Sequence, residues 1–195
     1  MQKVCILGVG RQGSAAAYDI LKYNKPKKLL LLDNNHDSLK RTISKINGVK
    51  DDNTEIIAEV IDLNDSDKLS KLLTPFDIFL SAVPYQFNLQ LTKVALSSKT
   101  SMVDLGGHTK NVIKQLSYGE SSKNNNIAIV PDCGMGPGMN ISMALLGIEY
   151  LDQAKDVYIW DGGLPKNPVK PWNYSLFFNI KGLTNEYDGS AYFIK

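Results

Sequence analysis

The chain has 195 residues, a formal net charge of +2 and a hydrophobic fraction of 43%, which are ordinary values for a soluble globular protein. Its 22 basic side chains are interleaved with 20 acidic ones, so no basic stripe predicts a nucleic-acid partner. No apolar run is long enough to span a membrane, no signal peptide precedes the first predicted strand, and two cysteines cannot build a disulfide framework, so we expect a cytoplasmic protein without a membrane partner.

Short apolar runs alternate with segments of helical periodicity up to about residue 130. The predicted strands are 3–9, 28–33, 55–62, 76–83, 101–106 and 126–132. The predicted helices between them are 13–23, 36–47, 66–73, 86–98 and 109–122. Because the strands are apolar along most of their length, both faces of their sheet should be covered. The pattern predicts an α/β fold with a doubly wound parallel sheet.

Three glycines in the stretch CILGVGRQGSAAAY follow the first strand and open the first helix. In the dinucleotide-binding turn of a Rossmann fold, Gly8 would permit the sharp turn, Gly10 would let a pyrophosphate approach the backbone, and Gly13 would let helix and strand pack closely. The amides of Arg11 and Gln12 would then meet the phosphates at the positive end of the helix.

The second predicted strand ends in an acid, Asp33, twenty residues after Gly13. Its carboxylate is predicted to accept hydrogen bonds from the adenosine ribose hydroxyls. A 2′-phosphate at that position would face a negative charge, so the sequence favours NAD over NADP. Lys40 and Arg41 follow in the next helix and keep NADP open as the alternative.

Two further strand ends should line the dinucleotide crevice. Asp62, at the end of the third strand, is predicted to approach the adenine or to cap the following helix. Ala82, Val83 and Pro84, at the end of the fourth strand, are predicted to line the path of the ribose and nicotinamide. Pro84 has the alternative role of ending the strand.

The fifth strand ends in Asp104, near the position expected for hydride transfer. Its carboxylate is a candidate to orient a substrate amine, and its alternative role is to cap the helix near residue 109. His108 follows closely and is a candidate proton carrier. With His36 as the only other histidine and no third ligand in evidence, no metal site is predicted.

The character of the chain changes after residue 135. An apolar helix is predicted at 138–152 and should be buried between domains, and 156–165 resembles a strand that ends in a Gly-Gly turn. Residues 156–195 hold nine of the 17 aromatic residues and end in a strand-like run at 190–195. We therefore predict a dinucleotide domain at 1–135 and, at 136–195, a linking helix with the incomplete start of an α+β substrate and dimerisation domain. The alternative is that this tail packs onto a second subunit.

Three segments carry a more specific resemblance: ILGVGRQGSAAAYDIL, DCGMGPGMN and WDGGLPKNPVKPWNYSLFFNIKGLTNEY. Together they resemble the saccharopine dehydrogenase-like family, especially its lysine 6-dehydrogenase branch. The resemblance implies a two-domain, NAD(P)-dependent oxidoreductase that acts on the amine carbon of an amino acid and forms a homodimer. Family members are about twice as long, which implies that the chain is an amino-terminal fragment and inactive alone.

The resemblance also implies site residues. The ends of the fifth and sixth strands line the substrate pocket in the saccharopine reductases, and the matching positions here are Asp104, Asp132, Cys133 and Gly134. Asp104 and Asp132 are the candidate catalytic residues, which would hold or deprotonate the substrate amine. The chain departs from the reductases in the residues that follow Cys133, so a structural, half-buried cysteine is favoured over a catalytic one.

The leading prediction is oxidation of lysine to 2-aminoadipate semialdehyde. The first alternative is a saccharopine or carboxynorspermidine dehydrogenase-type reductase, and the second, of a different class, is an NAD-sensing binding module. A substrate carboxylate usually binds an arginine. Arg11 belongs to the predicted phosphate turn and Arg41 to a distant helix. The carboxylate is therefore expected to bind a lysine or backbone amides of this chain, or a site in the remainder of the protein, and the last is favoured.

Overall fold

The computed structural model describes residues 2–50, 53–176 and 180–187. The chain divides into two compact units, residues 1–132 and 133–195. In chain order the first unit contains β1 Lys3–Leu7, α1 Arg11–Asp19, β2 Lys28–Asp33, α2 His36–Ile46, β3 Glu55–Val60, α3 Ser66–Leu73, β4 Ile78–Ser81, α4 Asn88–Ser98, β5 Ser101–Asp104, α5 Thr109–Leu116, α6 Gly119–Asn124 and β6 Ile129–Val130.

The six strands form one parallel sheet in the order β3-β2-β1-β4-β5-β6. The strand order reverses between β1 and β4, which pair side by side from Val4 opposite Ile78 to Leu7 opposite Ser81. In sheets of this kind a ligand binds at the carboxyl ends of the strands beside that reversal. The predicted α/β fold with a doubly wound parallel sheet is confirmed.

The core has two halves because alternate residues of each strand point to opposite faces of the sheet. On one face Cys5, Leu7 and Phe79 pack with apolar side chains of α3 and α4. On the other face Val4 and Ile6 pack with apolar side chains of α1 and α2. Both faces are therefore covered by helices, as the continuous apolar character of the strands predicts.

Several strands are shorter than predicted, and β4 and β6 are shorter at both ends. The first ends at Leu7 rather than residue 9, since Gly8 has a φ of 84°. The fourth and fifth end at Ser81 and Asp104. The sixth is reduced to Ile129–Val130.

The single helix predicted at 109–122 is two helices, α5 and α6. They are separated at Ser117 and Tyr118, where the Ser117 hydroxyl donates to the Lys114 carbonyl oxygen at 2.7 Å. A serine hydroxyl bonded to a nearby carbonyl competes with helical hydrogen bonding, and Gly119 begins the second helix. The helix predicted at 86–98 is α4, which begins at Asn88 and follows a 3₁₀ turn at Tyr85–Phe87.

The second unit contains α7 Met139–Glu149 and α8 Ile180–Tyr187. Met143, Leu145 and Leu146 of α7 are exposed in the structure, so the burial predicted for this helix is not found among the described residues. The strand predicted at 156–165 is also wrong, because the chain there forms no helix or strand. A strand needs a paired neighbour to satisfy its backbone, and none is described beside this segment. The strand-like run at 190–195 lies outside the described residues.

Within the described ranges, the helices are all too short or too polar to cross a lipid bilayer. The assignment of residues 136–195 to the start of a substrate domain stays a prediction.

Candidate dinucleotide and substrate site

The turn after β1 is built around Gly8. Its amide donates to the Leu32 carbonyl oxygen at 2.7 Å, which fixes the turn to the end of β2. Its φ of 84° lies in the left-handed region, and a Cβ there would come within 2.8 Å of the Ala82 carbonyl oxygen and 2.7 Å of a Val83 methyl carbon. The position therefore requires glycine both for its backbone angle and for its neighbours.

Gly13 and Gly10 differ in what surrounds them. A Cβ on Gly13 would overlap the Gly8 carbonyl oxygen, so a side chain there would separate α1 from the turn. A Cβ on Gly10 would meet nothing within 4 Å. Gly13 is thus explained by the protein's own packing, whereas the described packing does not explain Gly10, and the approach of a pyrophosphate to Gly10 stays a prediction.

The first turn of α1 lies directly beside that open space. Gly10 is the N-cap, has no side chain with which to cap the helix, and accepts the first helical hydrogen bond from Ser14 at 3.0 Å. The amides of Arg11 and Gln12 lie in this first turn, at the positive end of the helix dipole. No acidic residue occupies the turn, so its electrostatics favour an anion.

Asp33 is tied to the same turn from the end of β2. One carboxylate oxygen accepts a hydrogen bond from the Val9 amide and the other from the Asn35 amide, both at 2.8 Å. The Val9 carbonyl in turn accepts the hydroxyl of Thr42, a buried residue of α2, at 3.2 Å. Asp33 therefore holds the glycine turn in place, a role that its sequence position alone does not indicate.

Asp62 follows β3 and is exposed. One of its oxygens accepts hydrogen bonds at 2.9 Å from the amide and from the side chain of Asn64, which makes a local turn. The N-cap of α3 is Asp65, whose carboxylate accepts from the Lys68 amide at 3.0 Å. The alternative that Asp62 caps α3 is therefore wrong, and its contact with adenine stays a prediction.

Ala82, Val83 and Pro84 leave β4 beside the turn after β1. The Ala82 amide donates to the Leu7 carbonyl oxygen at 2.8 Å, and Ala82 and Val83 are the residues that face Gly8. Pro84 is exposed, and its carbonyl accepts the Phe87 amide at 3.1 Å to begin the 3₁₀ turn. Because β4 has already ended at Ser81, Pro84 begins the 3₁₀ turn and does not itself end the strand. The contacts of all three residues with ribose and nicotinamide stay predictions.

Asp104, at the end of β5, is completely buried. Its Oδ1 accepts the amides of Gly106 at 2.7 Å and Asp132 at 3.2 Å, and its Oδ2 accepts the side-chain amide of Gln115 at 2.7 Å. These bonds tie the ends of β5 and β6 to α5. The carboxylate neither reaches solvent nor caps α5, so the geometry gives it a structural role, and its contact with a substrate amine stays a prediction without support from its surroundings.

Asp132, at the end of β6, is only partly buried and has a left-handed φ of 60°. Its carboxylate accepts the Gly107 amide. Partial burial raises the pKa of Asp132 above its ordinary value, the nearby charge of Asp104 raises it further, and the hydrogen bond from Gly107 opposes both. Asp132 is therefore the accessible member of a carboxylate pair, with a raised proton affinity.

His108 lies at the start of α5 and is half-buried. Its Nδ1 accepts the Asn111 amide at 3.3 Å, so His108 is the N-cap of the helix. Its ring stacks on Tyr85 with centroids 5.0 Å apart and planes inclined by 6°, while the Asn111 side chain donates to the Tyr85 carbonyl oxygen at 3.0 Å. The pair joins the end of β5 to the segment after β4.

A buried polar network behind these strand ends was also missed by the sequence analysis. The Ser81 hydroxyl donates to the Asn88 side-chain oxygen at 2.8 Å, the Thr92 hydroxyl donates to the Asn88 carbonyl at 2.8 Å, and Gln115 donates to Thr92 at 3.1 Å. Serine, asparagine, threonine and glutamine on a helix usually face water. The signal that could have found Asn88 and Thr92 is their helical spacing from the buried apolar residues of α4, whereas the pattern of α5 carries no such signal for Gln115.

Cys133 is exposed, which corrects the prediction of a half-buried side chain. The other cysteine, Cys5, is buried in β1, and burial raises its thiol pKa well above the ordinary value. In the described part of the chain, no three His, Cys, Asp or Glu side chains are grouped so that they could hold a metal ion.

A groove of about 670 Å³ lies between α5, α6 and β6. It reaches Ser101, the first residue of β5, so it lies toward the amino ends of the strands and not at the carboxyl ends that form the crevice.

A family model matches the part of the chain that forms this crevice. The family model described as "Saccharopine dehydrogenase NADP binding domain" matches residues 4–130, more than half of the chain. The chain belongs to this family. Membership supports a nicotinamide dinucleotide as the cofactor of the glycine turn, and the family's description points to NADP.

Similar proteins agree with the assignment to the saccharopine dehydrogenase family. The saccharopine dehydrogenase [NADP(+), L-glutamate-forming] of Schizosaccharomyces pombe is 26% identical over an alignment 210 positions long, which covers 99% of this chain and 42% of that protein. The alpha-aminoadipic semialdehyde synthase of Bos taurus is 28% identical over 106 residues, covering 51% of this chain and 11% of that protein. The chain thus spans less than half the length of either relative.

Solved structures share the fold. The apo saccharopine dehydrogenase (L-Glu forming) of Saccharomyces cerevisiae superposes with a TM-score of 0.61 at 21% identity, covering 76% of this chain and 31% of that one. A probable dehydrogenase of Thermotoga maritima superposes with a TM-score of 0.53 at 15% identity, covering 75% and 40% of the two chains.

Proposed function

We propose that the protein is an NAD(P)-dependent oxidoreductase that transfers hydride between the nicotinamide and the amine-bearing carbon of an amino acid. The observation that carries the proposal is the glycine turn. It is closed at Gly13 by the protein's own backbone and open at Gly10, beside the first turn of α1. Membership of the saccharopine dehydrogenase family supports the reaction class.

The residues of the turn fit a dinucleotide. A pyrophosphate beside Gly10 would receive the amides of Arg11 and Gln12, and the helix dipole would stabilise its charge. The nicotinamide supplies the acceptor or donor of hydride when it is bound. The residues of this chain bind that group and orient it along the ends of β1 and β4.

Asp33 supports NAD over NADP. Its two oxygens are held by the amides of Val9 and Asn35, so the carboxylate cannot swing away from the ribose site without losing both bonds. A ribose hydroxyl can donate to the remaining lone pairs, whereas a 2′-phosphate would meet a fixed negative charge. The family description favours NADP, and Arg41, which donates to the Ser38 hydroxyl at 3.0 Å, is the nearby cation for that alternative.

Asp132 is the candidate acid–base residue of the proposed reaction. The ε-amine of lysine has a reference pKa of about 10.4, so it must lose a proton before hydride can leave the carbon. A carboxylate with a raised pKa is a stronger base than an ordinary one, and Asp132 has that property at the accessible end of β6. It would hold or accept the proton of the substrate amine.

We propose lysine as the leading substrate and 2-aminoadipate semialdehyde as the product, because the residues after Cys133 resemble the lysine 6-dehydrogenase branch. The specific alternative is a saccharopine or carboxynorspermidine dehydrogenase-type reaction. The name of the S. pombe relative favours that alternative. We further propose a cytoplasmic homodimer, with the substrate carboxylate bound outside the present 195 residues and no turnover by these residues alone.

Two measurements test the proposal. NADH and NADPH are titrated against the chain by fluorescence, and we expect NADH to bind more tightly. The complete protein that carries this chain is then assayed for NADH or NADPH formation with lysine, saccharopine and a polyamine. Turnover of lysine alone supports the leading substrate, and turnover of saccharopine supports the alternative. Absence of turnover on all three would overturn the enzyme assignment and favour a dinucleotide-sensing module.

A further inference from the structure

Gln115 occupies a position that an apolar residue could fill more simply. Its side chain is 2% exposed on the inner face of α5. Its side-chain nitrogen donates to Asp104 and Thr92, at 2.7 Å and 3.1 Å, while its buried side-chain oxygen has no hydrogen-bond partner among the residues that the structure describes. A buried polar atom without a partner destabilises a fold. The residue is therefore explained by what its nitrogen donates to rather than by packing.

The bonds of Gln115 lead to the crevice in two steps. Gln115 fixes one oxygen of Asp104, which leaves the other oxygen directed at the amides of Gly106 and Asp132. The loop so fixed presents the Gly107 amide to the Asp132 carboxylate. Both the backbone and the carboxylate of Asp132 are thus held through Asp104.

We propose that Gln115 is a positioning residue: through Asp104 it sets the place of the Asp132 carboxylate at the end of β6. The hydrogen bond from the Gly107 amide lowers the pKa of Asp132 against the raising effect of burial, and the loop that carries Gly107 is held by the Asp104 carboxylate, which Gln115 fixes. The catalytic meaning of this position rests on the proposed function, but the physical coupling does not.

The titratable side chains that lie in this cluster are Asp104 at the end of β5, Asp132 at the end of β6, His108 at the start of α5 and Tyr85 before α4. The lysines of α4 and α5, which are Lys93, Lys110 and Lys114, are exposed. His108 and Tyr85 stack on each other, and Nδ1 of His108 is occupied by the Asn111 amide. The coupling that the proposal invokes is between the two carboxylates.

The test is a titration of the Asp132 carboxyl carbon by NMR in the 195-residue chain, with the resonance assigned by its loss in Asp132→Asn. In Gln115→Leu, the Asp104 carboxylate loses the donor that fixes one of its oxygens, and the loop that it holds through the Gly106 and Asp132 amides is released. The Asp132 carboxylate then loses its place against the Gly107 amide, whose hydrogen bond lowers the pKa of Asp132, so we expect the Asp132 midpoint to rise.

Thr100→Val is the control. It removes the hydrogen bond from a buried hydroxyl to the Leu73 carbonyl oxygen, but Thr100 precedes β5, at the end of the strand away from Asp104. The control should leave the Asp132 midpoint unchanged.

A second variant keeps the proposal testable if Gln115→Leu does not fold. In Gln115→Glu, a protonated glutamic acid can still donate a hydrogen bond to Asp104. The NMR chemical shift of the Gly106 amide should therefore match that of the wild type at low pH. It should depart from the wild-type value as the new carboxyl group ionises. An unmoved Asp132 midpoint in the leucine variant, or a Gly106 shift in the glutamate variant that never approaches the wild-type value, would overturn the proposal.

In the complete protein, Gln115→Leu should lower kcat tenfold or more and leave the KM for the dinucleotide unchanged, since the glycine turn does not depend on Gln115. A fall in dinucleotide affinity instead of kcat would count against the positioning role. If the complete protein oxidises none of the amines, the proposed function fails, and the titration still decides the coupling.

Discussion

The crevice has two halves that are built in different ways. At β1 and β2 the site consists of backbone: Gly8 and Gly13 are required by the close approach of main-chain atoms, and one acid, Asp33, holds the turn. At β4, β5 and β6 the site consists of side chains held by a buried polar network around Asp104 and Gln115. The first half is specified by local sequence, and the second by contacts between distant residues.

This difference explains what each half tolerates. A backbone turn fails as soon as a side chain enters it, because main-chain atoms cannot move aside cheaply. A hydrogen-bond network can lose one member and relax, with the cost spread over its remaining partners. We therefore expect substitutions in the glycine turn to act on folding or binding abruptly, and substitutions around β5 and β6 to act gradually.

Gly13→Ala should have the largest effect. The new Cβ would overlap the Gly8 carbonyl oxygen, so α1 must shift, and we expect a loss of about 3 kcal/mol in the free energy of unfolding. Denaturant unfolding measures it. Gly119→Ala is the matched control, because a Cβ there meets nothing within 4 Å. Equal stability of the two variants would contradict the packing role of Gly13.

Gly10→Ala separates binding from folding in the same turn. Its Cβ meets nothing within 4 Å and its φ is −66°, so the folded protein should lose at most about 1 kcal/mol. The methyl group would occupy the pyrophosphate space, and we expect the Kd for NADH to rise about tenfold, or about 1.4 kcal/mol. Fluorescence titration measures the Kd. Unchanged affinity would mean that the dinucleotide does not approach Gly10.

His108→Ala tests the side-chain half. The helix cap on Asn111 and the ring contact with Tyr85 are both lost, and we expect a decrease of about 1 kcal/mol in the free energy of unfolding. His36→Ala is the matched control, because His36 is exposed and the cap of α2 is Asn35. A larger loss in the control than in His108→Ala would contradict this assignment.

Asp132→Asn should have the smallest effect on stability, and its sign depends on pH. Because the pKa of Asp132 is raised in the folded state, protonation favours folding: this contribution is complete below the ordinary aspartate pKa and is lost as pH rises through the folded pKa. The asparagine variant cannot lose it, and asparagine tolerates the left-handed φ. We expect the variant to be slightly more stable than the wild type at neutral pH, with the difference vanishing in acid. Thermal unfolding across pH measures it, and a variant less stable at neutral pH would contradict the raised pKa.

The sequence could predict the sheet and the glycine turn because both depend on local patterns. Continuous apolar strands require covering helices, and Gly8, Gly10 and Gly13 with Asp33 have a fixed spacing. It could not predict that Asp33 would bind the Val9 amide, since that contact exists only once β1 and β2 pair.

The buried network was beyond prediction for the same reason. Gln115 meets Asp104 across eleven positions and Thr92 across 23, and nothing in the local pattern of α5 distinguishes it from a surface glutamine. The predicted strand at 156–165 is wrong because β-forming residues specify a strand only beside a partner strand, and no strand is described beside this segment.

The hydrogen bond between Asp33 and the Val9 amide has a consequence for changing the coenzyme that the protein uses. Selectivity between the two coenzymes is usually altered by replacing the acid at this position with a neutral or basic residue. Here such a replacement would also release the turn where we propose that the diphosphate binds. Replacing Asp33 to change the coenzyme preference would therefore weaken affinity for both coenzymes unless a second substitution supplied a new acceptor for Val9.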